Sequence, residues 1–340
     1  MSRQDEALIT VRITDIVDES RHVRTFTLEP AEAGRGIVYD AGQFLTLRLP
    51  VAGAEPIMRT YSISTCPISD RKLAFTVKRA AGGVGSNWLY ELAEVGMVLQ
   101  THPPAGRFTL DPSDLTVHLY AAGVGITPII ALCKYALTST SRRVKLHYSS
   151  RTRDEATFIG EIARLRERYA DRFDPDVRLT NEAGRVEAEE IQRATGRDVE
   201  AISYVCGPAD YTRMVVDSLV AAGRSRDAIR TESFGPGPRP DSEAMPELDS
   251  PSVAVVHLNG EQTRVRWPAD MPLIEALDAA GIAAPSSCRQ GECLTCECKV
   301  QSGNTVMLKN NVLDDEDIDA GYALACQLLP GDPEIVIAFL

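Results

Sequence analysis

Alternating apolar and polar positions mark the first third of the chain. The alternation runs through four short segments, at residues 8–14, 23–28, 43–49 and 73–78, with Gly and Pro between them. Successive side chains of a strand point to opposite faces, so this pattern predicts half-buried strands. Short strands at this spacing favour a closed or nearly closed antiparallel barrel. One helix is predicted from Ser86 to about Glu94, with Ser86 or Asn87 as its cap.

The pattern changes after about residue 110. The mostly apolar segment from Leu115 to Tyr120 predicts a buried strand. It is followed by a glycine-containing turn and by an apolar helix to about Leu137. Two further apolar segments, 144–148 and 202–206, are each followed by apolar residues at helical spacing. Strands that alternate with helices in this way predict a doubly wound α/β domain with a parallel sheet.

The last third of the chain begins with a stretch rich in Pro and Gly, residues 235–250, which predicts a linker. Segments 252–258 and 262–267 flank Asn259-Gly260 and predict a hairpin, because Asn-Gly is a favoured two-residue turn. A helix is predicted from Leu273 to Ala280. We therefore expect domains at 1–112, 113–234 and 251–340, joined before the last one by the linker.

Charge and apolar content narrow the class of protein. The 340 residues carry a net charge of −12, and residues 251–340 hold thirteen Asp/Glu against five Lys/Arg. An acidic balance argues against nucleic acid as a partner, because phosphates require a basic face. The longest apolar region is interrupted by Gly and Pro and is too short to span a bilayer, and no secretory signal is apparent. We expect a soluble, cytoplasmic protein without disulfides and without a membrane partner.

The strongest chemical signal is a set of four cysteines, Cys288, Cys293, Cys296 and Cys326. Three thiolates separated by four and two residues, with a distant fourth, match the plant-type ligand set of a [2Fe-2S] cluster. A zinc site and a disulfide framework are the alternatives. Cys298 lies outside the pattern and is predicted to be a buried thiol.

Two motifs in the barrel contain residues that suggest ligand binding as well as folding. Alternation sends Arg59 and Tyr61 to one face of a strand and Ser62 to the other, and a cation beside an aromatic ring can serve a phosphate and a flavin. Surface packing is the alternative. The second motif is a run of glycines, with Gly83 and Gly85 before Ser86, whose backbone amides could hold a phosphate at a helix N-terminus. A plain turn is its alternative.

The α/β domain carries a third motif. Gly123 and Gly125 follow the first predicted parallel strand, at the edge where dinucleotide phosphates bind, although the full G-x-G-x-x-G is absent. Cys206 ends another strand at the same predicted edge. A single cysteine there is more often core packing than chemistry.

In their order and spacing these motifs resemble the ferredoxin-NADP reductase superfamily with a C-terminal plant-type ferredoxin, as in reductase components of bacterial oxygenases. The resemblance rests on Arg-x-Tyr-Ser at 59–62, the glycine loop ending in Ser86, Gly-x-Gly-x-Thr-Pro at 123–128, Cys-Gly-Pro at 206–208, Glu232 to Phe234, and the four cysteines. It implies an antiparallel β-barrel flavin domain, a doubly wound α/β nicotinamide domain and a β-grasp ferredoxin domain.

The resemblance implies roles for the barrel motifs. Tyr61 would stack on the isoalloxazine, Arg59 would neutralise a flavin phosphate, and Ser62 would form a hydrogen bond near flavin N5. Gly83, Gly85 and Ser86 would contact the pyrophosphate. The expected cofactor is FAD, and FMN is the alternative because related reductases use it with the same domains.

On the nicotinamide side, the resemblance implies that Gly123, Gly125 and Thr127 meet the pyrophosphate. Cys206, Gly207, Pro208 and Glu232 would lie near the nicotinamide, so that the expected catalytic residues are Ser62, Cys206 and Glu232. Arg151 follows the second parallel strand, where no acidic residue is available for a ribose diol. NADH is the expected donor, with NADPH as the alternative.

The implied function is an electron relay. Hydride passes from the nicotinamide to the flavin, and single electrons pass to the cluster and then to a separate oxygenase. A Rieske-type oxygenase acting on a small amine or aromatic acid is the first expectation, and a di-iron oxygenase or a hybrid-cluster protein are alternatives. A redox-sensing regulatory module is a competing hypothesis from another class.

Two features near the cysteines complete the expectations. The acidic residues 314–317 and Asp319 would form part of a docking face for the oxygenase, although acidic loops are usually only solvated. Related ferredoxin loops commonly read Cys-Gly-x-Cys, whereas Leu294 follows Cys293 here. A side chain at that position makes the geometry of the loop uncertain.

Overall fold

The structure is a computed structural model, and it describes residues 8–32, 36–51, 56–195, 200–232, 234, 251–286, 289–313 and 315–339. The chain divides into two compact units. One unit contains the described residues 9–51, 61–232 and 234, and the other contains Leu8, 56–60 and the described residues from 251 onward. Within the described residues, no helix is both long and apolar enough to cross a membrane.

The N-terminal sheet has six antiparallel strands in the order β4-β3-β6-β1-β2-β5. Its strands and its single helix α1 are β1 (Ile9–Ser20), β2 (Val23–Pro30), β3 (Phe44–Leu49), β4 (Ile57–Ser62), β5 (Leu73–Lys78), α1 (Val84–Leu92) and β6 (Val98–Thr101). An antiparallel bridge between Ile63 and Phe75 joins the two ends of this strand order, so the sheet closes. Phe26 stacks on Phe75 inside it, with ring centroids 5.1 Å apart. The predicted barrel is confirmed.

The helix of the barrel differs in detail from the sequence prediction. It begins at Val84, with Gly83 as its N-cap and no side-chain capping bond, so Ser86 and Asn87 lie inside the first turn. The prediction that one of them caps the helix was therefore wrong. Glycine is required at the cap because a Cβ on Gly83 would lie 2.5 Å from Ser86 Oγ.

The same unit contains a parallel sheet of five strands in the order β11-β10-β7-β8-β9. Its elements are β7 (Val117–Ala122), α2 (Ile126–Ser139), β8 (Val144–Ser150), α3 (Ile159–Arg168), β9 (Phe173–Leu179), α4 (Thr180–Ala183), α5 (Ala188–Thr195), β10 (Ile202–Cys206), α6 (Ala209–Ala221) and β11 (Ile229–Glu232). The chain reverses its direction of winding between β7 and β10, which is where ligands bind in such folds. The predicted doubly wound domain is confirmed.

Two strands of this sheet escaped prediction, β9 and the four-residue β11. Strand β9 contains Pro175 and two aspartates, Asp174 and Asp176, which interrupt any apolar run. It lies at the edge of the sheet, where proline is tolerated because only one side of the strand pairs.

The C-terminal unit contains a mixed sheet in the order β13-β12-β18-β14-β16 and a separate pair, β15 with β17. Its elements are β12 (Ser252–Leu258), β13 (Glu261–Trp267), α7 (Leu273–Ala279), β14 (Glu297–Ser302), β15 (Thr305–Met307), α8 (Asp315–Asp319), β16 (Tyr322–Leu324), β17 (Leu328–Pro330) and β18 (Glu334–Phe339). The hairpin is confirmed, since β12 and β13 pair in register around Asn259 and Gly260. The predicted linker at 235–250 lies outside the described residues.

A buried ion pair connects the barrel to helix α2 within one unit. The Lys134 ammonium lies 2.6 Å from the Asp70 carboxylate, and only 8% of the lysine side chain is exposed. The same carboxylate accepts a hydrogen bond from the backbone N–H of Cys66 at 2.7 Å. The ion pair therefore anchors the loop before β5 to the first helix of the nucleotide sheet.

Replacement of Asp70 by Asn should lower the free energy of unfolding by about 3 kcal/mol, because it leaves the Lys134 ammonium buried without its carboxylate. Urea denaturation followed by circular dichroism measures this loss. Glu29→Gln is the matched control, since Glu29 and Lys72 are about half exposed and 3.6 Å apart. The control should change stability by less than about 0.5 kcal/mol, and an equal loss in both variants would contradict the expectation.

Candidate functional site

Two turns meet at the carboxyl edge of the parallel sheet. A Cβ placed on Gly125 would lie 2.2 Å from the carbonyl oxygen of Cys206, so no side chain fits at this position. A Cβ on Gly207 would likewise lie 2.8 Å from the ring of Tyr211. Glycine at both positions allows the ends of β7 and β10 to approach closely.

A side-chain hydrogen bond stabilises the glycine turn after β7. Gly123 has a φ of +55°, which glycine adopts without strain. The Thr127 hydroxyl donates a hydrogen bond to the carbonyl of Val124 at 2.8 Å, and Thr127 is buried. Thr127 thus stabilises the turn, and its predicted contact with a pyrophosphate stays a prediction.

Three of the sequence-predicted residues lie together at this edge. Cys206 and Glu232 are paired neighbours on the parallel strands β10 and β11. The Ser62 hydroxyl, at the end of β4, donates a hydrogen bond to the Glu232 carboxylate at 3.3 Å. All three residues are buried, with at most 5% of their surface exposed. The barrel motif and the nucleotide-sheet motif therefore meet at one carboxylate.

The other barrel residues lie as follows. Tyr61 precedes Ser62 on β4, and its ring lies 5.6 Å from that of Phe75, tilted by 32°. Arg59 falls in the other compact unit, and its guanidinium donates to the carbonyl of Met58 at 2.7 Å. Alternation along the strand separates Ser62, which is buried, from the half-buried Tyr61.

The glycine loop before α1 is closed by a serine. Ser86 Oγ accepts a hydrogen bond from the backbone N–H of Ala80 at 3.2 Å. A Cβ on Gly83 would lie 2.5 Å from that same oxygen, so the loop requires glycine there. The loop thus presents bare backbone at the start of a nine-residue helix, which suits a phosphate.

A cavity of about 480 Å³ opens beside the turn after β7. Gly123, Val124, Arg151 and Pro208 line it, and the binding roles predicted for Gly123, Arg151 and Pro208 stay predictions. Arg151 is largely exposed and lies 3.2 Å from the Glu155 carboxylate. Gly125, Thr127 and Cys206 do not line this cavity, because they pack behind it.

The cavity also has lining residues that were not predicted as site residues, namely His22, Lys78, Arg185, Glu187, Asp210 and Tyr211. His22 lies in the turn between β1 and β2, and Lys78 is the last residue of β5, so both come from the barrel and are far away in sequence from the nucleotide sheet. The sequence predicted only that Tyr211 lies on a helix. In the structure its hydroxyl is buried, which strongly raises its pKa. No local pattern marks these positions, because the cavity brings them together only on folding.

The cysteine loop lies in the other unit. Cys293, Cys296 and Cys326 are buried, and Cys288 lies outside the described residues. A hydrogen bond with Cys326, together with burial, raises the pKa of Cys296 strongly. Within the described residues, no three His, Cys, Asp or Glu side chains surround one ion position. A two-iron cluster needs only two thiolates at each iron, so paired thiols suit it.

The loop backbone adopts the left-handed conformation at three places, Arg289 (φ +55°), Gly291 (φ +72°) and Leu294 (φ +59°). Leu294 stands where related loops commonly have Gly, and its conformation shows why glycine suits the position. The leucine side chain packs against the core of the unit, which offsets a conformational cost of about 1 kcal/mol.

Cys298 is a buried thiol, as predicted, and its Sγ donates to the carbonyl of Ala323 at 3.5 Å. Burial raises its pKa.

A buried ion pair supports the cluster loop next to Cys293. The Lys309 ammonium lies 2.7 Å from the Glu292 carboxylate, and 13% and 6% of the two side chains are exposed. Asn311 Nδ2 donates to the same carboxylate at 3.3 Å. These bonds hold the loop residue Glu292 against the segment that follows β15.

Three family models match consecutive parts of the chain. Residues 10–110 match an oxidoreductase FAD-binding domain, and residues 119–217 match an oxidoreductase NAD-binding domain. Residues 256–331 match a 2Fe-2S iron-sulfur cluster binding domain.

The ferredoxin reductase component of a 3-ketosteroid-9-alpha-monooxygenase from Mycobacterium tuberculosis is 33% identical to the chain, over 98% of this chain and 96% of that protein. The chain belongs to the ferredoxin reductase components of oxygenases. A glycine betaine monooxygenase reductase subunit from Chromohalobacter salexigens is 29% identical over 94% of this reductase and 92% of that protein.

Solved structures agree on the fold. Phthalate dioxygenase reductase, described as modular for electron transfer from pyridine nucleotides to [2Fe-2S], covers all of both chains with a TM-score of 0.66 and 21% identity. An intact type IV self-sufficient cytochrome P450 monooxygenase matches 97% of this reductase with a TM-score of 0.73 and 22% identity. The reductase spans 41% of that longer chain.

The reductase is an NAD(P)H oxidoreductase with FAD-binding, NAD-binding and [2Fe-2S] domains. The residues present fit these groups. Backbone without side chains lies before α1, where a Cβ on Gly83 would meet Ser86 Oγ, and at the cavity-lining Gly123 after β7; such backbone suits phosphates, and sulfur donors suit iron. The boundaries at 112, 234 and 250 stay predictions, as does the docking role of the acidic helix α8, where Asp315, Glu316 and Asp319 are exposed.

Replacement of Gly125 by Ala should raise the Kd for NADH by about tenfold or more, because the new methyl group pushes the turn after β7 away from Cys206. Fluorescence titration of the FAD-bound protein with NAD⁺ and NADH measures the affinity. Gly160→Ala is the matched control, since a Cβ there meets only the side chain of Arg164 at 3.7 Å. An unchanged Kd in the Gly125 variant would contradict the expectation.

Replacement of Lys309 by Met should destabilise the C-terminal unit by about 3 kcal/mol, because the Glu292 carboxylate loses its cation while it stays buried. Trp267 fluorescence in a Trp88→Phe background follows the unfolding of this unit in urea. Arg264→Met, at the exposed pair of Arg264 and Glu334, is the control and should cost less than about 1 kcal/mol. A comparable loss in the control would show that the burial of the pair is unimportant.

Proposed function

We propose that this reductase passes electrons from NADH to a terminal oxygenase, with FAD held by the barrel and a [2Fe-2S] cluster held by Cys288, Cys293, Cys296 and Cys326. FAD supplies a carrier that takes two electrons as hydride and releases them one at a time, which matches a nicotinamide donor to a one-electron cluster. No side-chain nucleophile is required. The protein contributes binding, orientation and exclusion of water.

The observation that carries this proposal is the hydrogen bond between Ser62 and Glu232. It joins the residue expected near flavin N5 to the strand pair that ends in Cys206 and Glu232. Because the Ser62 hydroxyl donates its hydrogen bond to the Glu232 carboxylate, the lone pairs of the serine oxygen point away from Glu232. Burial of all three residues keeps water from the place where hydride would transfer.

The remaining residues would bind the two nucleotides. Arg59, Tyr61, Gly83, Gly85 and Ser86 would hold FAD. The cavity beside Gly123 and Arg151 would take NADH, and Pro208 also lines it. Gly125, Thr127 and Gly207 would support the turns behind it. The ion pair with Glu155 lowers the positive charge that Arg151 offers to a 2′-phosphate, which favours NADH over NADPH.

We propose a Rieske-type oxygenase as the acceptor. The reductases of the 3-ketosteroid and glycine betaine monooxygenases support an oxygenase partner, because they share the full length of this chain. A cytoplasmic location follows from the proposal, since NADH and reduced thiolates both require a reducing compartment.

The first test compares two cysteine variants of the purified protein carrying FAD and a reconstituted cluster. Cys296→Ser should lower NADH-driven reduction of cytochrome c by about 100-fold, because that path needs the cluster, while ferricyanide reduction through FAD persists. Cys298→Ala should keep both activities. Wild-type protein that binds FAD but reduces neither acceptor would refute the proposal.

The second test addresses Ser62. Ser62→Ala should slow flavin reduction by NADH by about 10- to 100-fold in stopped-flow measurements, because a positioned hydroxyl is lost from the hydride-transfer site. Ser64→Ala is the matched control. Ser64 follows Ser62 by two residues and is also buried, but its hydroxyl bonds to the carbonyl of Ala74. Equal rates of flavin reduction in the two variants would show that Ser62 has no role in hydride transfer.

A further inference from the structure

Gln327 is a buried polar residue directly after the cluster ligand Cys326, and only 3% of it is exposed. Its side-chain amide nitrogen, Nε2, lies 3.7 Å from the Sγ of Cys326. The same nitrogen lies 2.9 Å from the carbonyl of Cys326 and 3.1 Å from the carbonyl of Arg289. Gln327 therefore contacts Cys326, a proposed cluster ligand, and Arg289, which follows the proposed ligand Cys288.

The orientation of the amide follows from these neighbours. Nε2 faces three acceptors, a sulfur and two carbonyl oxygens, and rotating the amide by 180° would turn an acceptor oxygen toward them. The Oε1 atom has no hydrogen-bond partner within the described residues. A buried amide oxygen without a donor loses its hydration without compensation, which lowers stability.

An apolar residue would avoid that cost. Leu324, Ala325, Leu328 and Leu329 on either side are all buried and apolar, so this segment belongs to the core of the unit. Packing alone therefore does not explain an amide at position 327. The donated bonds to Cys326 and Arg289 are what the side chain provides.

We propose that Gln327 is a positioning residue for the [2Fe-2S] cluster. One N–H of its amide is shared between the carbonyl and the sulfur of Cys326, and the other N–H bonds to Arg289 and holds the loop. The inference rests on the proposed function, because it requires that Cys326 is a cluster ligand. Hydrogen bonds to ligand sulfurs are one of the determinants of cluster potential. Such a bond stabilises the reduced cluster more than the oxidised one, because the reduced cluster carries more negative charge.

The test measures the midpoint potential of the cluster in the full-length holoprotein, by redox titration followed through the electron paramagnetic resonance (EPR) signal. Gln327→Met keeps a similar length without a donor. It should lower the ratio of reduced to oxidised cluster at a fixed ambient potential by about tenfold, a shift of about 59 mV for one electron. Gln327→Glu should lower the potential further, because it adds negative charge beside Cys326.

Asn310→Ala is the matched control. The Asn310 side chain bonds to the backbone of Val312 and Leu313 in the same unit, at 2.8–3.1 Å. This variant should lose stability without any shift in potential. Flavin reduction by NADH should be unchanged in all the variants, since Gln327 acts only on the cluster.

Each outcome has one meaning. If wild-type protein forms no cluster, the proposed function fails first. If the cluster forms and Gln327→Met leaves the potential unchanged, only the role of Gln327 is overturned. If Gln327→Met fails to assemble a cluster, pulsed EPR of the reduced wild-type protein labelled with [¹⁵N-amide]glutamine decides. A hyperfine coupling to a glutamine amide nitrogen supports the inference, and its absence overturns it.

Discussion

The contact between Gly125 and the carbonyl of Cys206 is the constraint on which the nicotinamide side of the molecule depends. It brings the ends of β7 and β10 together with no side chain between them. Cys206 in turn fixes Glu232, because the two residues are register partners on parallel strands. One glycine therefore determines where the buried carboxylate lies that Ser62 contacts from the barrel.

This arrangement separates residues that shape the site from residues that line it. Thr127 and Gly125 stabilise the turn from behind, whereas Gly123, Arg151 and Pro208 face the cavity. The barrel contributes to both groups, since Asp70 anchors helix α2 while His22 and Lys78 line the cavity. The barrel and the nucleotide sheet thus form one compact unit in physical terms, although the sequence patterns divide them.

The described part of the cysteine loop turns a short backbone segment sharply while the thiols of Cys293 and Cys296 stay buried. Left-handed residues provide the turns, at Gly291 without strain and at Arg289 and Leu294 at a conformational cost. Side chains from outside the loop support it, with Lys309 bonded to Glu292 and Gln327 bonded to Arg289. Leu294 is tolerated in this conformation because its side chain packs on the core of the unit.

The sequence by itself determined the three folds, the hairpin around Asn259 and Gly260, the presence of a [2Fe-2S] domain and the family, because periodicity, turn residues and cysteine spacing are local properties of the chain. It missed β9, whose proline and aspartates are acceptable only at a sheet edge. Only the tertiary structure decided that Ser62 contacts Glu232, 170 residues away, and that Lys78 and Tyr211 line one cavity. Such pairings depend on how sheets pack and on which groups are buried, and no periodicity along the chain records them.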